Sequence, residues 1–273
     1  MIRVCLIGIG KTGKEIAKTL LEHNDVELVS VVCSPNSSKK GKNLGEIIGS
    51  EEDGIKIESA DELEEVLSKS EPDVVVDFSR PEATLKNAEI VSRMKVNMVI
   101  ATTGFSEVDF KKLKVLIQDN HNGIVYAPNI TLGVNVLMIL TNLTSILLNN
   151  YDFQISEIHH KNKKDSPSGT ALKIAQEIEK GLIYSGKDIK EGNISINAVR
   201  AGGVVGKHEV LIVGENDRIV ISHESFSRKI FALGAIHAIN FIKNKTGFYE
   251  MSDVLNLSKV IEDIYQSKEL DEI

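Results

Sequence analysis

The chain has no tryptophan, only two cysteines and five prolines in 273 residues, and no excess of positive charge. Cys5 and Cys33 stand in apolar runs without a CxxC pair or metal-ligand spacing. That excludes a disulfide framework, points to no metal, and reads as two buried thiols in a reducing cytoplasm. A formal net charge of −7 excludes a general nucleic-acid or anionic-membrane partner, because either requires a basic face. No apolar run approaches the roughly 20 residues of a membrane span. The opening MIRVCLIGIG runs into glycines and charges too soon for a secretory signal.

What is present is an ordinary balance of 42% hydrophobic and 26% charged residues, with enough length for two domains. Up to Pro128, short β-branched runs alternate with amphipathic stretches. Strands are expected at 2–7, 26–33, 55–58, 73–78, 96–101 and 124–127, a capping box at Ser59–Glu62, and Pro81 in a helical first turn. Such alternation implies right-handed βαβ units and a parallel sheet. Beyond Pro128 the pattern changes. A long apolar helix at 134–148, a strand at 153–159 and a helix after Ser168 precede strands at 194–200, 209–214 and 218–224, with a hairpin at GENDR. Helices at 231–243 and 252–265 close the chain. The expected domains are 1–130 with 241–273, and 131–240.

The segment LIGIGKTGKEIA places Gly8, Gly10 and Gly13 as G-x-G-x-x-G between a strand and a helix. Gly8 permits the tight turn, Gly10 the approach of backbone N–H groups to a pyrophosphate, and Gly13 close helix–strand packing. A dinucleotide fold that selects NAD carries an acid at the end of its second strand. Here that strand ends Cys33-Ser34, and Lys39 and Lys40 follow. A 2′-phosphate would not be repelled there, so Ser34 and Lys39 are candidate contacts and NADPH is favoured over NADH. The alternative for NSSKK is a solvated loop. Ala101, Thr102 and Thr103 lie just past another strand end, small enough for a nicotinamide ring to approach.

The segment EIHHKNKKDSPSGTALKIA is basic in an acidic chain. Residues 159–165 carry three lysines against one aspartate, a net charge of +2 with both histidines neutral. Lysines ahead of a helix that begins at Ser168, Gly169 and Thr170 suit a small anion, to which the helix would offer backbone N–H groups. Two adjacent histidines at a strand end point to opposite faces, so one of His159 and His160 could be structural. Lys161 and Lys164 read as a solvated rim, and His208 and His223 as core residues or ones behind a site. Arg200 could be a hinge, a carboxylate partner or an intersubunit contact.

Seven segments, GIGKTG, DFSRPEAT, ATTGFS, APNITLGVNV, EIHHKNKKDSPSGTAL, VRAGGVVGKHEV and ISHESFSRKIFALGAI, resemble the 4-hydroxy-tetrahydrodipicolinate (dihydrodipicolinate) reductases in order and spacing over nearly the whole chain. The resemblance implies an α/β fold class, a Rossmann-type parallel-sheet domain plus a smaller α+β domain with a mixed sheet. It implies hydride transfer from NADPH or NADH to a cyclic dicarboxylate in the diaminopimelate route to lysine. On matching positions it implies His159 as acid/base, Lys163 as proton donor, and His160, Gly169 and Thr170, with the adjoining Ser168, at the substrate. Cofactor contacts would be Gly8, Ile9, Gly10, Lys11, Thr12 and Gly13, then Ala101, Thr102 and Thr103, and Ala127, Pro128, Asn129 and Ile130. A homotetramer joined through the second domain is implied as well. Two positions depart. Some members have an acid followed by arginine where this chain has Cys33-Ser34, and Ala101 stands where glycine is frequent. From the residues alone, a redox-sensing binding protein remains an alternative. An aldehyde dehydrogenase would need an active-site cysteine, and both cysteines lie in early strands.

Overall fold

The computed structural model describes residues 1–51, 54–190, 192–256, 259, 260, 262 and 263. Two compact units emerge, Met1–Ile130 with Phe231–Ile273, and Thr131–Ile230.

The first unit runs β1 (Ile2–Ile7), α1 (Lys11–Leu21), β2 (Val26–Cys33), α2 (Leu44–Ile48), β3 (Ile57–Ser59), α3 (Leu63–Ser70), β4 (Val74–Asp77), α4 (Pro81–Arg93), β5 (Asn97–Ile100), α5 (Glu107–Asn120) and β6 (Gly123–Tyr126). The second supplies α6 (Leu132–Leu147), β7 (Asp152–His159), α7 (Gly169–Tyr184), β8 (Ser195–Arg200), β9 (Gly206–Val213) and β10 (Arg218–Ser225). After these come α8 (Lys229–Ile242), β11 (Gly247–Glu250) and α9 (Met251–Leu255).

Seven strands form a parallel sheet in the order β11-β6-β5-β4-β1-β2-β3. Strands covered on both faces need apolar side chains at successive positions, and VVVD of β4 is buried throughout. The order reverses between β1 and β4, and the carboxyl ends beside such a reversal are where open α/β sheets bind ligands.

The second unit's sheet, β10-β9-β7-β8, is mixed: β7 is antiparallel to β9 and parallel to β8. Alternation along β7 buries Phe153, Ile155, Glu157 and His159 on one face. Val134, Leu137 and Met138 of α6 and Ala171, Ile174 and Ile178 of α7 pack with Phe153, Ile155, Val210 and Ile212 in one core. By register the other face presents Gln154, Ser156 and Ile158 of β7 beside Leu211, Val213 and Val220.

Several sequence expectations are corrected. The second unit ends at Ile230 rather than at 240, so α8 belongs to the first. Gly234 lies so close to the Ile130 backbone that a Cβ would collide with its carbonyl, and Asn97 Nδ2 donates to the carbonyls of Ile242 at 2.6 Å and Lys243 at 3.0 Å. Ser59 does not open a capping box. Its hydroxyl accepts from Asp61 N–H, not Glu62 N–H, in a short 3-10 turn, although the Glu62 carboxylate still takes the Ser59 backbone N–H besides pairing with Lys40. The edge strand β11 was not anticipated. Of the expected helix 252–265, the structure shows α9, and 257, 258, 261, 264 and 265 lie outside the described residues. Among the described residues no helix is long and apolar enough to cross a membrane.

Candidate active site

The glycine loop follows β1 directly. Gly8 N–H donates to Val32 O at 2.8 Å. Its φ of +99° is in the range that favours glycine, and a Cβ would stand 2.7 Å from the Phe78 carbonyl oxygen. A Cβ on Gly13 would run into Gly8 O, which is why helix and strand can approach there. Gly10 is the N-cap of α1. No side chain caps the first turn, no acid lies in it, and nothing stands within 4 Å of where a Gly10 Cβ would be. Open space over uncapped N–H groups fits a pyrophosphate. Lys39 Nζ donates to Ile9 O at 2.5 Å, which brings an ammonium to this loop, whereas Lys40 is committed to Glu62 at 2.7 Å. Ser34 is exposed.

Neighbouring strand ends are pinned by backbone bonds. Ala101 N–H donates to Asp77 O at 3.0 Å and Ala127 N–H to Ile100 O at 2.8 Å. Thr102, Ala127 and Ile130 are buried, while Pro128 and Asn129 are half-buried and Thr103 is exposed.

The basic segment is organised around a buried carboxylate. Glu157, two residues before His159 on β7, shares its face, as a strand's period requires. Its Oε1 accepts from Arg200 Nη2 at 2.9 Å and from Ser168 N–H at 2.9 Å, and its Oε2 lies in close contact with His159 Nδ1. Ser168 Oγ accepts from Ala171 N–H at 3.1 Å, capping α7, and lies 3.2 Å from His208 Nε2. The His159 and His208 rings meet edge to face with centroids 5.1 Å apart. Arg200 also donates to Asp165 O at 2.6 Å, and Lys163 pairs with Asp165 at 2.9 Å, so the loop between β7 and α7 is tied at both ends. Gly206 leaves room for the His159 ring, since a Cβ there would be 3.0 Å from Nε2.

Electrostatics separates the roles. Burial holds His159 below the ordinary imidazole range even though Glu157 opposes it, and burial presses His208 down to about 3. Both rings are therefore neutral near pH 7. Burial alone would raise Glu157, but Arg200, Ser168 N–H and His159 outweigh it and keep the carboxyl low. Ligand atoms of Glu157, His159 and His208 lie within 4.8 Å of one another, close enough to meet a cation, although Arg200 and Ser168 already occupy one carboxylate oxygen.

Residues 2–130 match the family described as "Dihydrodipicolinate reductase, N-terminus" and residues 133–255 that described as "Dihydrodipicolinate reductase, C-terminus". The chain is 38% identical to 4-hydroxy-tetrahydrodipicolinate reductase of Methanocaldococcus jannaschii, covering 95% of this chain and 99% of that one. The chain belongs to the dihydrodipicolinate reductase family. A second relative in it, from Methanopyrus kandleri, is 40% identical over 93% of this chain and 97% of its own. Among solved structures, the dipicolinate-bound reductase of Paenisporosarcina sp. TG-14 superposes with a TM-score of 0.74 at 28% identity, covering 92% of this chain and 97% of that chain.

Within this family framework, His159, Lys163 and Ser168 come together in the second unit, with His160, Gly169 and Thr170 on the adjoining loop and helix start. Sequence reasoning overlooked Glu157 and Gly206. The i, i+2 spacing of Glu157 and His159 was the available signal. Of the three roles open to Arg200, the structure favours carboxylate partner, and His208 stands behind Ser168.

Proposed function

We propose that this chain reduces 4-hydroxy-tetrahydrodipicolinate to tetrahydrodipicolinate with a reduced nicotinamide cofactor, in the diaminopimelate route to lysine. The observation that carries the reading is the Glu157-oriented His159 beside Lys163 and the Ser168-capped helix, in a chain that aligns end to end with named reductases. The Paenisporosarcina reductase binds dipicolinate, a ring with two carboxylates, and the basic loop here suits the same ligand class. Gly8, Ile9, Gly10, Lys11, Thr12 and Gly13 would hold the pyrophosphate, and the strand ends at Ala101, Thr102 and Thr103 and at Ala127, Pro128, Asn129 and Ile130 would frame the nicotinamide. Bound there, the reduced ring supplies the hydride.

The remaining chemistry belongs to side chains of the second unit. Loss of the 4-hydroxyl as water first leaves a conjugated C=C–C=N system; as hydride reaches its carbon end, electron density moves toward the nitrogen and the ring must take up a proton. A neutral His159 is a poor donor but a good hydrogen-bond acceptor, so Lys163 gives the proton. Glu157 holds the imidazole with Nδ1 inward and Nε2 directed away from the carboxylate. His160, Gly169 and Thr170 orient the carboxylates. Lys39 at the Ile9 carbonyl favours a 2′-phosphate and hence NADPH over NADH. The partly apolar open face of the second sheet, with Ile158, Leu211, Val213 and Val220, supports a homotetramer joined through this unit, and two free buried cysteines suit the cytoplasm.

The test is a coupled assay in which the preceding synthase makes the substrate from pyruvate and aspartate semialdehyde, with NADPH and NADH followed in parallel. Synthase-dependent oxidation supports the proposal. Binding of both cofactors without oxidation of either rules it out and favours the redox-sensing alternative.

A further inference from the structure

The loop between β7 and α7 carries Lys161, Lys163 and Lys164 and a single acid, Asp165. In a segment suited to anionic ligands, that acid sits on the cation the proposed reaction needs. Asp165 Oδ2 lies 2.9 Å from Lys163 Nζ in an ion pair. Burial alone would raise the Asp165 carboxyl, but Lys163, and Arg200 with it, outweigh burial and hold it below the ordinary carboxylate range. The carboxylate is therefore ionised near pH 7.

The two partners differ in their surroundings. The Asp165 side chain is 57% exposed and that of Lys163 23%. An aspartate facing water is hydrated when it lets go, whereas a largely covered ammonium needs another anion in its place. The loop keeps its ties through such an exchange. Arg200 Nη2 donates to the Asp165 main-chain carbonyl at 2.6 Å and to Glu157 Oε1 at 2.9 Å, and Lys163 N–H donates to His160 O at 3.0 Å. None of these bonds uses the Asp165 carboxylate.

We propose that Asp165 is an intramolecular competitor for Lys163, a specificity-determining carboxylate that a carboxylate of the substrate displaces on binding. This rests on the reading above that Lys163 belongs to the substrate site. The exchange puts one carboxylate in place of another on the same ammonium, so a ligand must bring its own carboxylate to match the contact it breaks. An uncharged ring has nothing to offer in return and is disfavoured.

The test is the dissociation constant for dipicolinate, measured by titration calorimetry with NADPH present. Asp165→Asn keeps the size of the side chain and the main-chain bond to Arg200, and is expected to tighten dipicolinate about three- to fivefold, the effect of a partly exposed ion pair. Asp165→Glu keeps the charge and is expected to bind dipicolinate as the unaltered protein does. In a Lys163→Ala background, Asp165→Asn is expected to lose its effect, because no ammonium is left to compete for. Weaker or unchanged binding in Asp165→Asn overturns the inference, the weaker result being what a purely structural aspartate would give. Equal tightening with Lys163 absent overturns it too, since that marks a general field of the carboxylate, and so does tightening in Asp165→Glu. No binding of dipicolinate by the unaltered protein overturns the inference while turnover stands, and no oxidation of NADPH or NADH by the unaltered protein overturns the function beneath it.

Discussion

Arg200→Met would leave a fully buried carboxylate without its guanidinium. Glu157 is 0% exposed and takes Arg200 Nη2 and Ser168 N–H, both at 2.9 Å, on one oxygen. Removing one partner of a buried pair costs about 3–5 kcal/mol. The Arg200 side chain keeps 17% exposure, and Ser168 N–H and His159 remain in place, so we expect about 3 kcal/mol. The loss should depend on pH. In the unaltered protein the Glu157 carboxyl is depressed, so its contribution is present above the unfolded value of about 4.3 and is lost as pH falls through the folded value. In the variant, burial dominates and the folded pKa rises above about 4.3. The penalty is then full above that raised value and relieved as pH falls through it, and His159, freed from the repulsion of Arg200, protonates more readily in the same direction. Urea unfolding of both proteins at about pH 8 and about pH 5 measures this, and the difference between them should shrink at the lower pH. An equal difference at both, or one below about 1 kcal/mol, would refute the buried-pair account.

His208, held at about 3 by burial and then by the neighbouring His159, should leave its mark on the pH profile of stability. Below about 6.5 the unfolded chain takes up a proton that the folded one refuses, so stability falls by about 1.4 kcal/mol per pH unit from this group. His208→Gln should remove that share of the slope in a series of unfolding curves, and parallel slopes would contradict it. Gly206→Ala places a Cβ 3.0 Å from His159 Nε2, and by displacing the ring it should lower kcat about tenfold with cofactor affinity intact. An unchanged kcat would mean that His159 needs no such placement. Lys39→Ala should raise KM for NADPH about tenfold more than KM for NADH, whereas Lys40→Ala, whose ammonium is tied to Glu62, should shift both by less than about twofold. Steady-state kinetics with both cofactors separates the two lysines.

The parallel sheet was legible because its strands are apolar runs between amphipathic helices, and the change of rhythm after Pro128 marked the second unit. β11 was not legible. GFYE is four residues long, and its place comes from pairing with β6 and from Phe248 stacking on Tyr126 with centroids 6.4 Å apart. The helix α8, FALGAIHAINFI with its neighbours, is apolar around much of its circumference, so periodicity cannot say which sheet it covers. Gly234 and Asn97 decide that through contacts distant in sequence. The His/Lys segment stood out by charge, but its supports did not. Arg200 faces His159 only because β8 pairs in register with β7, and His208 reaches Ser168 from β9. Only Glu157 was within reach of local pattern, through the two-residue period of β7.

The most direct measurement of the central claim is turnover of Lys163→Ala beside the unaltered protein in the synthase-coupled assay, with NADPH affinity taken from cofactor fluorescence on the same samples. The account expects kcat to fall by about 10²–10⁴-fold while the dissociation constant for NADPH stays within about twofold. Undiminished turnover would contradict Lys163 as proton donor, and with it the division of labour between a neutral His159 and a charged lysine.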